Sequence, residues 1–498
     1  MDRTRTRLQT LHQTWQRSNA STETKSRFKT SGSLRDALLS GYRFLRGPGP
    51  MKTRLSIVLC VLCSSFAVVR AGDEKPLTWA DFHVGLSRTF ARQPVPWTSQ
   101  PFGTQFRAAQ PVVVRAPDGE LFANARTALI HSVDGGRSWQ QLGEIPVDRG
   151  VPPGFKLLAL NLDGCGVTEQ GTLLFHYTKQ FNRGQPYDSF AEAFHAECHI
   201  LRSTNRGRTW EPAKRLLSQG FNCVGTGRAR FVRLPDGVIG LPMETWNAAR
   251  QESPVPDSQK WFQAFLYVSS DDGRTWKRSG SLGPHSCEAD VLPLPGGRLL
   301  ASVRYQRKKL PDDPERLAAP AWFDPDHPRE SCAECLAHGA FGVGGHSVFK
   351  QTALVASDDG GLSWSRARLL TGWLQQTGCL VRISDGTIVL PFGHKTTAQG
   401  MRFGQRFLVS YDEGQSWSRT VYELHHGGLY ANSVVLDDDT IVTVHDNRDA
   451  GQRHLNVLRW KLPSRREVSR GGFFQPRPVE AANGGDAPVG GSTSSPVR

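Results

Sequence analysis

The sequence predicts an all-β chain folded as a six-bladed β-propeller. Three observations predict it: a turn octet that recurs five times, a turn-and-strand element that recurs six times, and 50 Gly and 31 Pro against only 21% charged residues. With 498 residues, 38% of them hydrophobic and 9% aromatic, the chain has ample material for a buried core, which excludes disorder throughout.

In chain order, residues 1–50 are basic, rich in Ser and Thr and without hydrophobic periodicity, and read as a disordered extension or a mis-assigned start. Met51 opens a second candidate start. Lys52 and Arg54 form a positive region, Leu55 to Val69 an apolar run, and Val69-Arg70-Ala71 a small-residue cleavage pattern, so 51–71 read as a signal peptide. The apolar run is shorter than the roughly 20 residues a bilayer span needs, so a secreted or periplasmic protein without a stable membrane anchor is expected. The folded unit is expected over 77–462, followed by a solvated tail over 463–498 rich in Gly, Pro, Ser and Arg.

Of the net charge of +15, residues 1–71 carry +10 and the remaining 427 carry +5. Basicity therefore belongs to the leader, and nucleic-acid binding loses its support. No Gly-Lys-Ser/Thr phosphate loop, dinucleotide fingerprint or His-Glu-x-x-His zinc helix occurs. Seven of the nine cysteines follow the leader, an odd number that leaves at least one thiol unpaired within one chain.

Within 77–462 the octet has the form Ser-x-Asp-x-Gly-x-Ser/Thr-Trp. It spans Ser132 to Trp139, Ser203 to Trp210, Ser269 to Trp276, Ser357 to Trp364 and Ser410 to Trp417, with Asn205 the only substitution at the acidic position. Each copy has hairpin-turn chemistry. The acidic or amide side chain accepts from backbone N–H groups, Gly takes positive φ, and Trp packs into the sheet. The second element is a turn before an apolar strand, at Asp118-Gly119, Gln170-Gly171, Asp236-Gly237, Gly296-Gly297, Asp385-Gly386 and Asp438-Asp439. Successive turns stand 52, 66, 60, 89 and 53 residues apart, room for a four-stranded sheet plus loops.

Repeated sheets around an axis bring equivalent positions to a common centre. Seven residues beyond each turn stand Arg126, Thr178, Glu244, Arg304, Gly393 and Asp446. Four of the six are charged, at the end of an otherwise apolar strand, so they either serve a ligand or pair with one another.

At these residues the chain resembles the sialidase (neuraminidase) family and its Asp-box, or BNR, repeats, which implies a six-bladed β-propeller of sialidase type. His285-Ser-Cys-Glu288, running through to Arg304, is similar to the family segment that supplies a glutamate and then an arginine. Leu429-Tyr430, followed by the last turn and Val444-His-Asp446, is similar to the segment with the nucleophilic tyrosine and a supporting carboxylate. Arg402, eight residues before the fifth octet, stands where the family places another arginine. The resemblance implies Tyr430 as nucleophile assisted by Glu288, with Arg304 and Arg402 gripping a substrate carboxylate and Arg126, Glu244 and Asp446 lining the pocket. The residue types suit the chemistry. A sialic acid carries a carboxylate on its anomeric carbon, which a neutral phenol approaches without charge repulsion, and a glutamate can take the phenol's proton.

The chain departs from the family pattern twice. The gapless equivalent of the family's Arg-Ile-Pro triplet is Ala109-Gln110-Pro111, which leaves Arg107, on the same strand face two residues earlier, as the candidate first arginine. No acidic residue lies between Arg126 and His131, where the family places its acid/base aspartate. The expected function is thus a sialidase-like glycoside hydrolase releasing an acidic terminal sugar, with a glycan as partner and no cofactor. The alternatives are an acidic-polysaccharide lyase, with Tyr430, His176 or His394 moving the proton, and a non-catalytic glycan-binding propeller. In the long insertion 306–350, Cys332, Cys335, His338 and His346 could hold zinc, but a disulfide is expected in an exported chain.

Overall fold

The computed structural model describes residues 110–184, 194–225, 227–248, 262–308, 347–371, 375–394, 404–426, 428, 430–447 and 454–478. The chain divides into Met1–Lys75, wholly outside these residues, and Pro76–Arg498, to which the following account refers.

The all-β expectation holds. Almost every described element is a strand, and neighbours pair antiparallel with one exception. The same motif recurs six times: a first strand or pair of short strands, one of the six sequence turns, a second strand, then a third. In the first unit, Val113–Arg115, Leu121–Ala125, Ala128–Ser132 and Gln140–Glu144 form a four-stranded meander. The second and third units, opened by Lys156–Val167 and by Cys223–Val224 with Val232–Arg233, share one nine-stranded sheet. They do so because Cys223 pairs in parallel with Ala196, the exception just noted. The remaining units open with Ser286–Pro293, with Gln375–Gln376 and Val381–Arg382, and with Ala431–Val435. The expectation of six separate four-stranded sheets is corrected accordingly, since the last unit has three strands and two others are fused.

Each sheet buries both faces against neighbours. One apolar cluster packs Val113, Leu121 and Ala123 of the first unit on Val434, Val442 and Leu455 of the last. Others join consecutive units, for example Leu300 and Leu354 with Ile388, Leu390 and Leu408. At roughly 25 cal/mol per Å² of apolar surface removed from water, these interfaces hold the units together.

All five octets fold alike. The Ser hydroxyl accepts the Gly N–H at 2.7–2.9 Å, and Asp134, Asn205, Asp271, Asp359 and Asp412 each accept the N–H four residues on. The indole N–H groups of Trp139, Trp276 and Trp417 return to the octet Gly carbonyl.

The segment beyond Leu462, expected as a solvated tail, is structured as far as Pro478. The helix Arg465–Arg470 opens on a capping box between Ser464 and Glu467, Phe473–Phe474 pairs with Trp417–Ser418, and Arg477–Pro478 pairs with Arg368–Leu369. The physical reason is Val468. It is fully buried among Ile441, Leu458 and Trp460 and pins an otherwise polar stretch that composition alone marks as solvated.

Candidate active site

The six positions counted from the turns lie on or just beyond second strands. Glu244, Gly393 and Asp446 lie near the far ends of theirs, Thr178 and Arg304 lie past the middle of longer strands, and Arg126 is exposed on the turn after Leu121–Ala125. Of the residues expected from the sequence, Glu288, Arg304, Tyr430, Glu244 and Asp446 come together. Arg126 makes no hydrogen bond or ion pair among the described residues. Arg107, Arg402, Cys332, Cys335, His338 and His346 lie outside the described residues.

Glu288 is central, and its strand breaks regularity to place it. Pairing between Ser286–Pro293 and the next strand is bulged between Cys287 and Asp290, and Glu288 has φ 41°, a conformation a non-glycine residue adopts at a cost. The buried carboxylate takes Arg304 Nη1 at 2.5 Å and the Tyr430 hydroxyl at 3.5 Å on one oxygen, and the Thr377 hydroxyl on the other. Its own N–H donates to Glu244 Oε2 at 3.0 Å. Three distant segments thus meet on one side chain.

Tyr430 is held through its backbone. Its N–H donates to Asp446 Oδ1 at 2.9 Å, and the Asp446 N–H donates back to the Tyr430 carbonyl at 3.2 Å. Gly428 makes this approach possible, because a Cβ there would stand 1.6 Å from the Asp446 carbonyl oxygen. Asp446 is accordingly a positioning residue, completely buried beneath the tyrosine.

Around Arg304, burial opposes the charge, but Cys287, Glu288, Tyr430 and Glu244 outweigh it and hold the guanidinium firmly protonated. Its Nε donates to Cys287 Sγ at 3.1 Å.

Three further groups were missed by counting from the turns. Asp163 sits at a bulge of Lys156–Val167, completely buried, with neither oxygen in hydrogen-bond geometry. Burial above all, then the charges of Glu244 and Glu288, pushes its pKa well above the carboxylate range, although Thr178 lies close enough to oppose the shift. Burial and the two neighbouring carboxylates thus favour its protonated form. Arg228 is buried, donates to the Thr377 carbonyl at 3.2 Å and keeps Nη1 unpartnered. Lys350 is brought to about 8, first by burial and then by Arg304. A sequence signal existed for Asp163, a lone carboxylate among Gly164, Cys165 and Gly166 in an apolar strand. At Gly164 a Cβ would stand 1.7 Å from the Ala229 carbonyl oxygen, so the neighbouring first strand seats directly against this one.

His176 is buried and depressed to about 4 by burial, with Nε2 at 2.8 Å from the Ala229 carbonyl, so it is a neutral donor at neutral pH. His394 is buried beside Gln375. The five described cysteines are buried free thiols, and no metal-binding group of side chains exists among the described residues. Nor is any described helix long and apolar enough to cross a membrane.

A phenol against a carboxylate, flanked by buried guanidinium groups, can deliver an activated oxygen nucleophile to an anionic substrate. Comparison with known proteins finds the following similarities. A BNR repeat-like domain matches residues 164–316. Over 304 residues the chain is 23% identical to a sialidase of Micromonospora viridifaciens, a match covering 56% of this chain and 46% of the relative, so the chain spans about half the length of that curated relative. Among solved structures, a Hadza microbial sialidase superposes with TM-score 0.51 at 15% identity, covering 72% of this chain and 66% of that one. Trypanosoma rangeli sialidase in complex with sialic acid gives TM-score 0.47 at 13% identity, covering 75% and 58%. The chain is thus similar, over part of its length, to BNR repeat-like domains and to a sialidase.

Proposed function

We propose that residues 77–462 form a six-bladed β-propeller of sialidase type, and that the chain is an exported, sialidase-like glycoside hydrolase releasing an acidic terminal sugar from glycans. The ring is supported by the packing of the first unit on the last and by one cavity lined from all six first strands. The observation that carries the activity is the Tyr430 hydroxyl directed at the Glu288 carboxylate, with Arg304 on the same oxygen.

In this reading the phenolic oxygen bonds to the anomeric carbon as the glycosidic C–O bond breaks, Glu288 accepts the phenol's proton, and the departing oxygen takes a proton from solvent water. Water then cleaves the tyrosyl intermediate, giving its hydroxyl to the anomeric carbon and its proton to solvent, and Glu288 returns the first proton to Tyr430. The 3.5 Å separation is long for a resting hydrogen bond, as is common before substrate closes a site. Arg304 and Arg228, with Arg402 and Arg107 as further candidates, would bind the sugar carboxylate. Glu244 and Asp446 hold Glu288 and Tyr430 in place, Arg126 is left as a candidate outside that cluster, and no cofactor is called for.

The test is hydrolysis by the full chain of an aryl sialoside beside a natural sialyl-oligosaccharide, with Tyr430→Phe as control. An aryl group leaves with little protonation, whereas an alcohol needs a proton. Turnover of both, abolished by Tyr430→Phe, is expected. Turnover of neither overturns the sialidase reading in favour of uronate cleavage or glycan binding without chemistry.

A further inference from the structure

The first strands that present Glu288 and Tyr430 at one end run to a second feature at the other. A cavity of ≈ 310 Å³, at the small end of ligand pockets, is lined by closing residues of first strands from all six units. From Glu288 to Val291–Pro293, and from Tyr430 to Val434–Val435, is three to five residues, roughly 10–17 Å at the rise of a strand.

Its composition is unusual. The lining holds four arginines and otherwise only Val, Leu, Phe and Pro, with no carboxylate, hydroxyl or amide side chain. Register explains the pattern. Arg115, Arg233 and Arg382 pair with Leu121, Ile239 and Ile388 at the close of the first, third and fifth units. Val167, Pro293 and Val435 hold the equivalent places in the second, fourth and sixth. Guanidinium and hydrocarbon thus alternate around the opening.

The arginines are not equally engaged. Arg230 is consumed by Asp290 and by the Ser433 and Leu380 carbonyls, and Arg115 pairs with Asp437 at 2.5 Å. Arg233 and Arg382 form no salt bridge among the described residues, and Arg382 Nε is buried without a hydrogen-bond partner. Nearby turn carboxylates are committed elsewhere. Asp385 accepts the Thr387 N–H, although Arg382 is close enough to act on it, Asp439 holds Ser384, Asp438 holds Thr440, and Asp118 holds Arg206.

We propose that this cavity is a second binding site, separate from the Tyr430 site, for a small amphiphilic anion. A carboxylate or sulfate head would sit on Arg233 and Arg382, and a short alkyl body would lie against the valines. A glycan is disfavoured as occupant because no lining side chain but arginine can bond a hydroxyl, whereas forked guanidinium groups above hydrocarbon suit a charged head on an apolar tail.

The test is calorimetric titration of the full chain with sodium octanoate, with octyl glucoside (tail without charge) and acetate (charge without tail) as controls. Saturable octanoate binding is expected, at least tenfold weaker for either control and at least tenfold weaker in R233Q/R382Q, while aryl-sialoside turnover is unchanged in that variant. Equal binding by octyl glucoside, or no loss in R233Q/R382Q, overturns the proposal. So does loss of octanoate binding in Tyr430→Phe, which would put the anion in the other site. Should R233Q/R382Q fail to fold, the charge-retaining R233K/R382K must still bind and the cavity-filling V232F must not.

Discussion

At the octet turns, Asp134, Asn205, Asp271, Asp359 and Asp412 accept the same backbone N–H at 2.8–2.9 Å, five times over. Around Tyr430, by contrast, no single contact is repeated around the ring. Glu288, Arg304, Thr377, Glu244 and Asp446 come from four different units, each with one role. An octet needs only residues adjacent in sequence, so its geometry survives every repetition. The site needs the repeat to fail locally, through bulges at Asp163 and Glu288 and a positive φ at Glu288. Periodicity therefore builds the scaffold, and chemistry sits where periodicity is interrupted.

The sharpest way to test that division is to change the site without touching a turn. Tyr430→Phe removes one oxygen and Glu288→Gln one charge. Glu288→Gln should lower kcat on an aryl sialoside by about 10²- to 10⁴-fold, the usual worth of a positioned acid or base, and Tyr430→Phe by at least as much. Melting temperatures of the Tyr430→Phe protein should match the parent. An undiminished rate in either variant would remove the residue from the mechanism.

Arg304→Met tests whether the site is also a weak point of the fold. Glu288 is buried and Arg304 nearly so, and removing the guanidinium leaves Glu288 without its charged partner. Breaking a buried pair in this way costs about 3–5 kcal/mol. Urea denaturation should show a loss of that order. A loss under about 1 kcal/mol would mean that water reaches Glu288 and compensates it.

Legibility followed the same line. The octets, the six turns and the all-β class could be read from spacing, because each is a local pattern repeated. Glu288 and Tyr430 were found by resemblance, Glu244 by counting from the turns, and Arg304 and Asp446 by both. Asp163, Arg228 and Lys350 were missed for a physical reason. Asp163 and Arg228 lie on or beside first strands, which precede the turns, and Lys350 lies on a third strand, so a count forward along second strands never reaches them. The order of 463–478 was hidden because it depends on one residue, Val468, reaching a distant cluster.

Asp163 offers a finer test, through pH. Its folded-state pKa is raised, so the folded protein keeps a proton that the unfolded chain releases above about pH 4. Stability should therefore fall as pH rises from there toward the folded-state value, by up to about 1.4 kcal/mol per pH unit for this one group. Asp163→Asn cannot ionise and should flatten that decline. Urea midpoints at pH 4, 6 and 8 that run parallel in the two proteins would show that Asp163 is not the proton carrier.

The smallest effect is expected on the scaffold side, where Asn205 has already made the substitution. Asp359 is held at about 2, chiefly by the Ser363 hydroxyl and N–H. A lowered folded-state pKa stabilises above the ordinary carboxylate value and loses that contribution as pH falls toward 2. Asp359→Asn keeps an oxygen for the Ser363 N–H, as Asn205 does for Thr209 at 2.9 Å, and its amide can meet the hydroxyl as Asn205 meets Thr209 Oγ1 at 2.7 Å. Neutral-pH stability should therefore change by less than about 1 kcal/mol, a typical hydrogen bond's net worth. The loss on acidification between pH 4 and 2 should be shallower than in the parent, as read by thermal melting across that range. An unchanged acid profile would mean that the octet carboxylates are interchangeable with amides at every pH, leaving their charge without a role in the scaffold.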